Sequence, residues 1–429
     1  MKKLIYVLIF LAFAGLANAQ WSVVNMGTTN QFTDIELSND QTFFATAVNN
    51  TTYDGTFYKS TNGGVNWFQL PLPTNFKAPY VCNFSSDGIN GFVAGTQIIK
   101  TSNGGLNWTV AYTSDDTVVF FGADIEGTPK AFWAAGVKMS GSTMIPVVVR
   151  CPSFFTSNVY TRITMPSSMS GYQLTCIATI DSMSCLIGVQ RGSQPGVILK
   201  TTNKGVNWSE FYTPNGIEIW AIDMSSGGSG FAAGGNGGNS YIYMTTNTGV
   251  TWNLVYSGTQ GRIRGLDFYS QVFAVGLNGT ILKGSGDGTI WSAQNSGVNN
   301  TLYAVSVLES NHDIAYVAGD NGTMLKTNNG GIGIQNISSE IPDKYSLSQN
   351  YPNPFNPLTK IRFAIPKNEI VTLKIYDLLG REAAILVNEK LQSGAYETTF
   401  DASSLPSGVY FYKLKTNTYS DTKKMILIK

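Results

Sequence analysis

Few residues in this 429-residue chain can do chemistry, and their spacing narrows what is open to them. There is one histidine, His312, in the turn-like run Glu309-Ser-Asn-His-Asp313. A Ser/His/Asp hydrolase would have to use it, and a loop position reads instead as a solvent-exposed side chain. Four cysteines (Cys82, Cys151, Cys176, Cys185) and a lone histidine are too sparse for a zinc site. No glycine-rich loop opens a helix to cradle phosphate. General acid–base work needs only two carboxylates at a set separation, and Asp34, Asp124, Glu218, Asp223 and Asp267 are the candidates for a glycosidase pair. An acid inside a strand is usually a solvated or capped position. The expectation is therefore no catalytic residue, metal or cofactor, with a glycan-degrading hydrolase as the alternative.

Binding chemistry has a clearer signature. Five short runs align: Tyr80-Val-Cys-Asn-Phe, Phe121-Gly-Ala-Asp-Ile, Trp220-Ala-Ile-Asp-Met, Arg264-Gly-Leu-Asp-Phe and Tyr303-Ala-Val-Ser-Val. Each leads with an aromatic or basic residue, and the next position is usually small. If the fold gathers Tyr80, Phe121, Trp220, Arg264 and Tyr303 at one place, their rings can stack on a sugar or a peptide and Arg264 can pair with an anion. The competing reading is packing between neighbouring structural units.

The elements that must position these residues come from a repeat. Ser60-Thr-Asn62-Gly-Gly64-Val-Asn-Trp67 recurs as Thr101-Ser-Asn103-Gly-Gly105-Leu-Asn-Trp108, Thr201-Thr-Asn203-Lys-Gly205-Val-Asn-Trp208 and Thr245-Thr-Asn247-Thr-Gly249-Val-Thr-Trp252. Weaker copies run from Gly284 to Trp291 and from Thr327 to Gly331, the last with Ile334 where Trp is expected. Short apolar strands precede each copy, one of them ending in a small pair, as in Phe231-Ala-Ala-Gly234 and Phe273-Ala-Val-Gly276. Trp67 and Trp108 are 41 residues apart and Trp208 and Trp252 are 44 apart, while the gap of 100 between Trp108 and Trp208 hides a degenerate unit near 131–164. A period of about 40 to 45 residues made of short strands is the mark of a β-propeller. Trp21-Ser-Val-Val-Asn-Met-Gly27 looks like a last strand without its own hairpin, and it can complete the final unit and seal its edge. Seven blades are expected, six or eight being the alternatives, over residues 20–336.

Within the motif the Ser/Thr hydroxyl and the Asn side chain can accept from turn amides, Gly supplies a positive φ and Trp covers the hairpin from below. This resembles the Asp-box hairpin of neuraminidase-type repeats, with Asn62, Asn103, Asn203 and Asn247 where Asp is usual. The whole unit is similar to the propeller of the photosystem II assembly and stability factor family. That resemblance implies a structural role for the hairpin and, for the chain, an assembly factor of a membrane complex. Sialidases of this fold use an arginine triad; Arg150, Arg162, Arg191, Arg262 and Arg264 do not reproduce its pattern.

Charged residues are 13% of the chain, against about 25% in an average soluble domain. The net charge of +1 provides no field to gather nucleic acid. Lys2 and Lys3, the apolar run Leu4 to Leu16 and Ala17-Asn-Ala19 read as a signal peptide cleaved between Ala19 and Gln20. No second spanning stretch follows, and the exported cysteines are free to pair, Cys176 and Cys185 being candidates to face each other across a hairpin. After a polar linker, 337–344, the remainder from Glu340 carries 12 basic against 9 acidic residues and reads as six strands of a compact antiparallel, Ig-like sandwich, 345–429. Gln349-Asn-Tyr-Pro-Asn-Pro-Phe-Asn-Pro357, Ile375-Tyr-Asp-Leu-Leu-Gly-Arg381, Leu405-Pro-Ser-Gly-Val-Tyr-Phe-Tyr412 and Lys423-Lys-Met425 strongly resemble the type A C-terminal sorting domain of the type IX secretion system. The resemblance implies engagement with that secretion machinery, passage of the outer membrane, then release or attachment to the cell surface. The overall expectation is a non-catalytic recognition or adhesion propeller whose ligand, glycan or protein, is unknown.

Overall fold

The computed structural model describes residues 21–428 except 114–117, 127–129, 192–193, 215–216, 329, 332–333, 339 and 403–404. The expected signal peptide and its Ala19/Gln20 junction lie outside these residues. The described chain is all-β apart from two single-turn 3₁₀ segments, Ser167–Met169 and Leu277–Gly279.

Seven four-stranded antiparallel sheets follow one another among the described residues. Their inner strands are Gln31–Leu37, Val81–Phe84, Val118–Glu126, Gln173–Thr179, Glu218–Met224, Ile263–Phe268 and Leu302–Val307. Each inner strand neighbours the inner strands of the sheets before and after it, the seventh returning to the first, an arrangement consistent with a propeller. The degenerate third sheet runs from Val118 to Ile163 and contains the Phe132-Trp-Ala-Ala-Gly136 strand. Second strands such as Phe273-Ala-Val are wholly buried, because each is sandwiched between two neighbouring sheets and small residues let those sheets approach.

The outermost strand of the seventh sheet is Ser22–Val23, paired with Leu325 and Lys326. Val24 N–H extends the ladder to the Met324 carbonyl at 2.8 Å. Trp21 is fully buried against Phe273 of the sixth sheet and its indole N–H donates to Gln294 Oε1 at 2.7 Å. It occupies the place that the seventh motif lacks. The expectation for Ile334 fails as a consequence: Ile334–Ser338 is a strand, but it pairs with Gly394–Asp401 in the C-terminal unit. With Trp21–Val24 already on the edge, the chain after Gly331 has no place left in that sheet.

The C-terminal unit has two four-stranded sheets. One holds Ile334–Ser338, Gly394–Asp401, Leu358–Ile365 and Ser346–Leu347; the other holds Glu382–Leu391, Glu369–Tyr376, Gly408–Lys415 and Ser420–Leu427. Alternate residues, such as Val371, Leu373, Ile375 and Tyr412, fill a common core between them. The proline-rich segment is pinned to this core: Asn350 N–H donates to the Tyr412 hydroxyl at 2.8 Å, and Asn350 Nδ2 donates to Thr359 Oγ1 and the Pro352 carbonyl, each at 3.0 Å. Phe355 N–H and carbonyl then bond Ile426 and Ile428, so this segment clamps the final strand.

Candidate functional site

The repeated hairpin is a scaffold. In its second copy Thr101 Oγ1 accepts Gly105 N–H at 3.0 Å and donates to Asn103 Oδ1 at 2.9 Å, and that oxygen accepts Asn107 N–H at 2.9 Å. The same bonds recur around Asn62 and Gly64, Asn203 and Gly205, and Asn247 and Gly249. The tryptophans also reach beyond their own hairpins. Each packs on the preceding sheet: Trp67 on Tyr316, Trp108 on Phe57, Trp208 on the cluster holding Val148, and Trp252 on the cluster holding Leu186. The motif therefore joins neighbouring sheets as well as closing its own hairpin.

The inner strands carry the candidate site. In six of the seven, the ladder with the second strand slips by one residue, leaving Thr33, Phe121, Thr175, Trp220, Arg264 and Tyr303 unpaired. In the fifth sheet, for instance, Ile219 pairs with Gly234 and Ala221 with Ala233, so Trp220 stands alone. A bulge bends the strand and re-aims the extra side chain. The glycine of the small pair makes room for it: a Cβ on Gly234 would lie 1.7 Å from the Glu218 carbonyl oxygen, and on Gly276 2.2 Å from that of Arg262. In the second sheet Tyr80, immediately before its strand, takes the same position and donates its N–H to Ala94.

All seven of these side chains line one cavity of about 330 Å³ at the ends of the inner strands. The five residues aligned from sequence, Tyr80, Phe121, Trp220, Arg264 and Tyr303, are brought together there, each half-buried. Thr33 and Thr175 complete the ring and are missed by an alignment keyed on large side chains. Their neighbours Phe32 and Leu174, each followed by the unpaired position, are the signal that finds them. Gln31 and Gln173 also line the cavity.

One sector of the ring is rigidly built. Glu218, 5% exposed, accepts from Arg262 at 2.8 Å, Trp220 Nε1 at 3.1 Å and Gln190 Nε2 at 3.0 Å. Trp220 is thereby fixed, and the Arg264 guanidinium lies 3.7 Å from its ring centre. Burial lowers the Arg264 pKa from its usual value. Tyr80 and Phe121 pack together at 5.1 Å, and the Tyr303 hydroxyl donates to Asp320 at 3.3 Å.

The carboxylates singled out as a possible acid–base pair have other partners. Asp124 Oδ2 accepts Thr179 N–H, Asp223 Oδ2 accepts Phe268 N–H, each at 2.7 Å, and Asp267 Oδ2 accepts Val307 N–H at 2.6 Å. Asp34 Oδ2 accepts Cys82 N–H at 2.8 Å. Each of these bonds runs from one inner strand to the next. His312 Nδ1 meets the Ser270 hydroxyl, and its ring stacks on Tyr269 at 5.6 Å on an exposed surface. Among the described residues no carboxylate takes its other ring nitrogen. The cysteines also differ from expectation: Cys176 is opposite Gly188 and Cys185 opposite Thr179, and all four are free thiols. The bulge at Thr175 and the intervening turn set a register that keeps the two apart.

Residues 349–429 match the secretion system C-terminal sorting domain family. No curated protein matches the chain. Among solved structures, YCF48 bound to D1 peptide aligns with a TM-score of 0.53 at 14% identity over 72% of this chain and 96% of that one. YCF48 from Cyanidioschyzon merolae aligns with a TM-score of 0.50 at 16% identity over 72% and 98%. PorZ of Porphyromonas gingivalis, described as an essential bacterial surface component of the type-IX secretion system, aligns with a TM-score of 0.56 at 14% identity. It is matched over 93% of this chain and 60% of its own length. At these identities the likeness is one of fold. No helix among the described residues is long and apolar enough to cross a membrane. The chain thus ends in a type IX C-terminal sorting domain, at 349–429, which marks it for the cell surface or the extracellular space.

Proposed function

We propose that this is an exported recognition protein, a seven-bladed propeller that binds its ligand at the mouth of the central channel and is delivered by an Ig-like sorting sandwich. Among the described residues the propeller spans 21–331 and the delivery module begins at Ile334. One observation carries the reading: bulges in six inner strands, and Tyr80 in the other, turn seven side chains into a single cavity. Bulges disrupt a ladder and are stable only where the surroundings hold them, so repeating one around a ring points to use of the side chains it presents. A non-catalytic role is supported by the commitments of the acids. Asp34, Asp124, Asp223 and Asp267 hold backbone N–H groups of the next sheet, and Glu218 is saturated by three donors.

Screening the purified chain on glycan and peptide arrays, with polysaccharide hydrolysis assayed in parallel, tests this. Binding without turnover, lost in Trp220→Ala and Tyr303→Ala proteins of unchanged circular dichroism, is the expected result. Hydrolysis that disappears on replacing two of the channel acids would overturn it in favour of a glycoside hydrolase.

A further inference from the structure

Among the seven ring positions Arg264 is the one that carries a charge. Its guanidinium is stacked on Trp220, which covers one face and leaves the N–H donors along the edge of the plane. Its Nε is buried without a partner, and the side chain makes no ion pair or hydrogen bond among the described residues. Nearby acids do not neutralise it. Glu218 is taken up by Arg262, Trp220 and Gln190, and Asp320 accepts the Tyr303 hydroxyl. Asp34, the one acid lining the cavity, gives both oxygens to backbone N–H groups of Ile35 and Cys82. A desolvated, preorganised guanidinium is a receptor for a planar anion, because a carboxylate can accept two parallel N–H bonds in the plane that stacking fixes.

The rest of the cavity indicates what bears the carboxylate. Gln31 and Gln173 line it, and neither side-chain amide has a partner among the described residues. Two free amides beside the rings of Tyr80, Phe121 and Tyr303 suit a group with several hydroxyls and one apolar face. A pyranose has both, and a cavity of about 330 Å³ holds one or two such rings. We propose that the channel mouth binds an acidic sugar residue of hexuronate type, its carboxylate on the edge of Arg264 and its ring among the aromatic side chains. The proposal rests on the recognition reading above and specifies its ligand.

The test titrates the full chain with trigalacturonate, its trimethyl ester, and the peptide acetyl-Ala-Tyr-Ala as free acid and as amide, followed by calorimetry. The free saccharide should bind about tenfold or more tighter than the ester, the value of one or two charge-assisted hydrogen bonds. Arg264→Gln should erase that difference, and Arg264→Lys should keep part of it, with unfolding temperatures unchanged. Equal binding of acid and ester, both lost in Trp220→Ala, would leave the recognition site standing and overturn the carboxylate. Preference for the peptide acid over both saccharides would overturn the sugar. Failure of every probe to respond to Trp220→Ala or Tyr303→Ala would remove the site and the proposal together.

Discussion

An aspartate three residues past the ring position has a specific mechanical use in this chain. Asp124, Asp223 and Asp267 each reach the N–H of the residue after the corresponding position in the next sheet, and Ser306 does the same for Leu37 at 3.1 Å. A short side chain there spans adjacent inner strands. Burial raises the pKa of Asp34 to about 7, places Glu36 and Asp223 well above the usual carboxylate range, and also raises Asp267, which accepts a bond from Asp223. These acids therefore take up protons on folding. Their stabilising contribution is complete below pH 4 or so, where the unfolded groups are also protonated, and is lost as pH rises through the folded values. The unfolding temperature should fall between pH 5 and pH 8, and Asp34→Asn, which keeps an acceptor but cannot ionise, should flatten the part of that fall centred near pH 7. A melting temperature that rises over this interval, or an Asp34→Asn curve parallel to the parent, would refute the account. From sequence Asp34, Asp124, Asp223 and Asp267 read as possible catalysts or solvated positions. The N–H groups they serve lie 40 to 55 residues away, in a different repeat, and nothing local to Asp223 reveals that.

At the scale of strands and sheets, two residues that look unrelated in sequence form one device. The bulge at Trp220 and the glycine at 234 require each other, since any side chain at 234 meets the Glu218 carbonyl. Gly234→Ala should cost about 2 to 4 kcal/mol by forcing the backbone apart, and should weaken ligand binding more than a distant substitution of equal stability cost. Thermal melts and titrations of the pair of variants read this out; equal binding in both would show the bulge to be irrelevant to the mouth. Ring closure is a second device. Trp21→Ala removes a fully buried indole and its bond to Gln294, for an expected loss of about 3 to 5 kcal/mol, and deletion of 21–26 should leave Met324–Thr327 as an open edge that aggregates. Unchanged melting and monomeric elution of the deletion protein would contradict it. The repeats were legible because four copies of one hairpin keep their Asn, Gly and Trp. Ile334 was not, because a strand pattern states that a segment pairs but not with which edge, and Trp21 had already filled the nearer one.

At the scale of the whole molecule, a ring of seven sheets consistent with a propeller is followed by the sorting domain at 349–429. Because Ile334–Ser338 is an edge strand of the sandwich, the polar stretch expected as a linker from 337 begins inside that unit. In chain order the last strand of the seventh sheet ends at Thr327 and the first strand of the C-terminal unit begins at Ile334. A chain ending at Gly331 should keep a complete seventh sheet and the unfolding temperature of the propeller, while losing every strand of the sorting unit. It should accumulate in the periplasm, because the expected N-terminal signal addresses only the inner membrane and residues 349–429 carry the sorting family match. A chain cut instead before Tyr345 leaves Ile334–Ser338 without Gly394–Asp401 and exposes an unpaired strand, so it should be equally retained but more prone to aggregate. Asn350→Ala supplies a milder form of the same experiment. It removes three side-chain bonds, those donated to Thr359 and Pro352 and the one accepted from Gln349, from a buried position, and should lower the stability of the sandwich by about 1 to 3 kcal/mol with a matching fall in surface yield. Cell fractionation with melting of each purified chain decides between a folded address and a short linear tag. If secretion persists at full yield when melting shows that Asn350→Ala has destabilised the sandwich, the machinery reads the terminal sequence and not the folded unit.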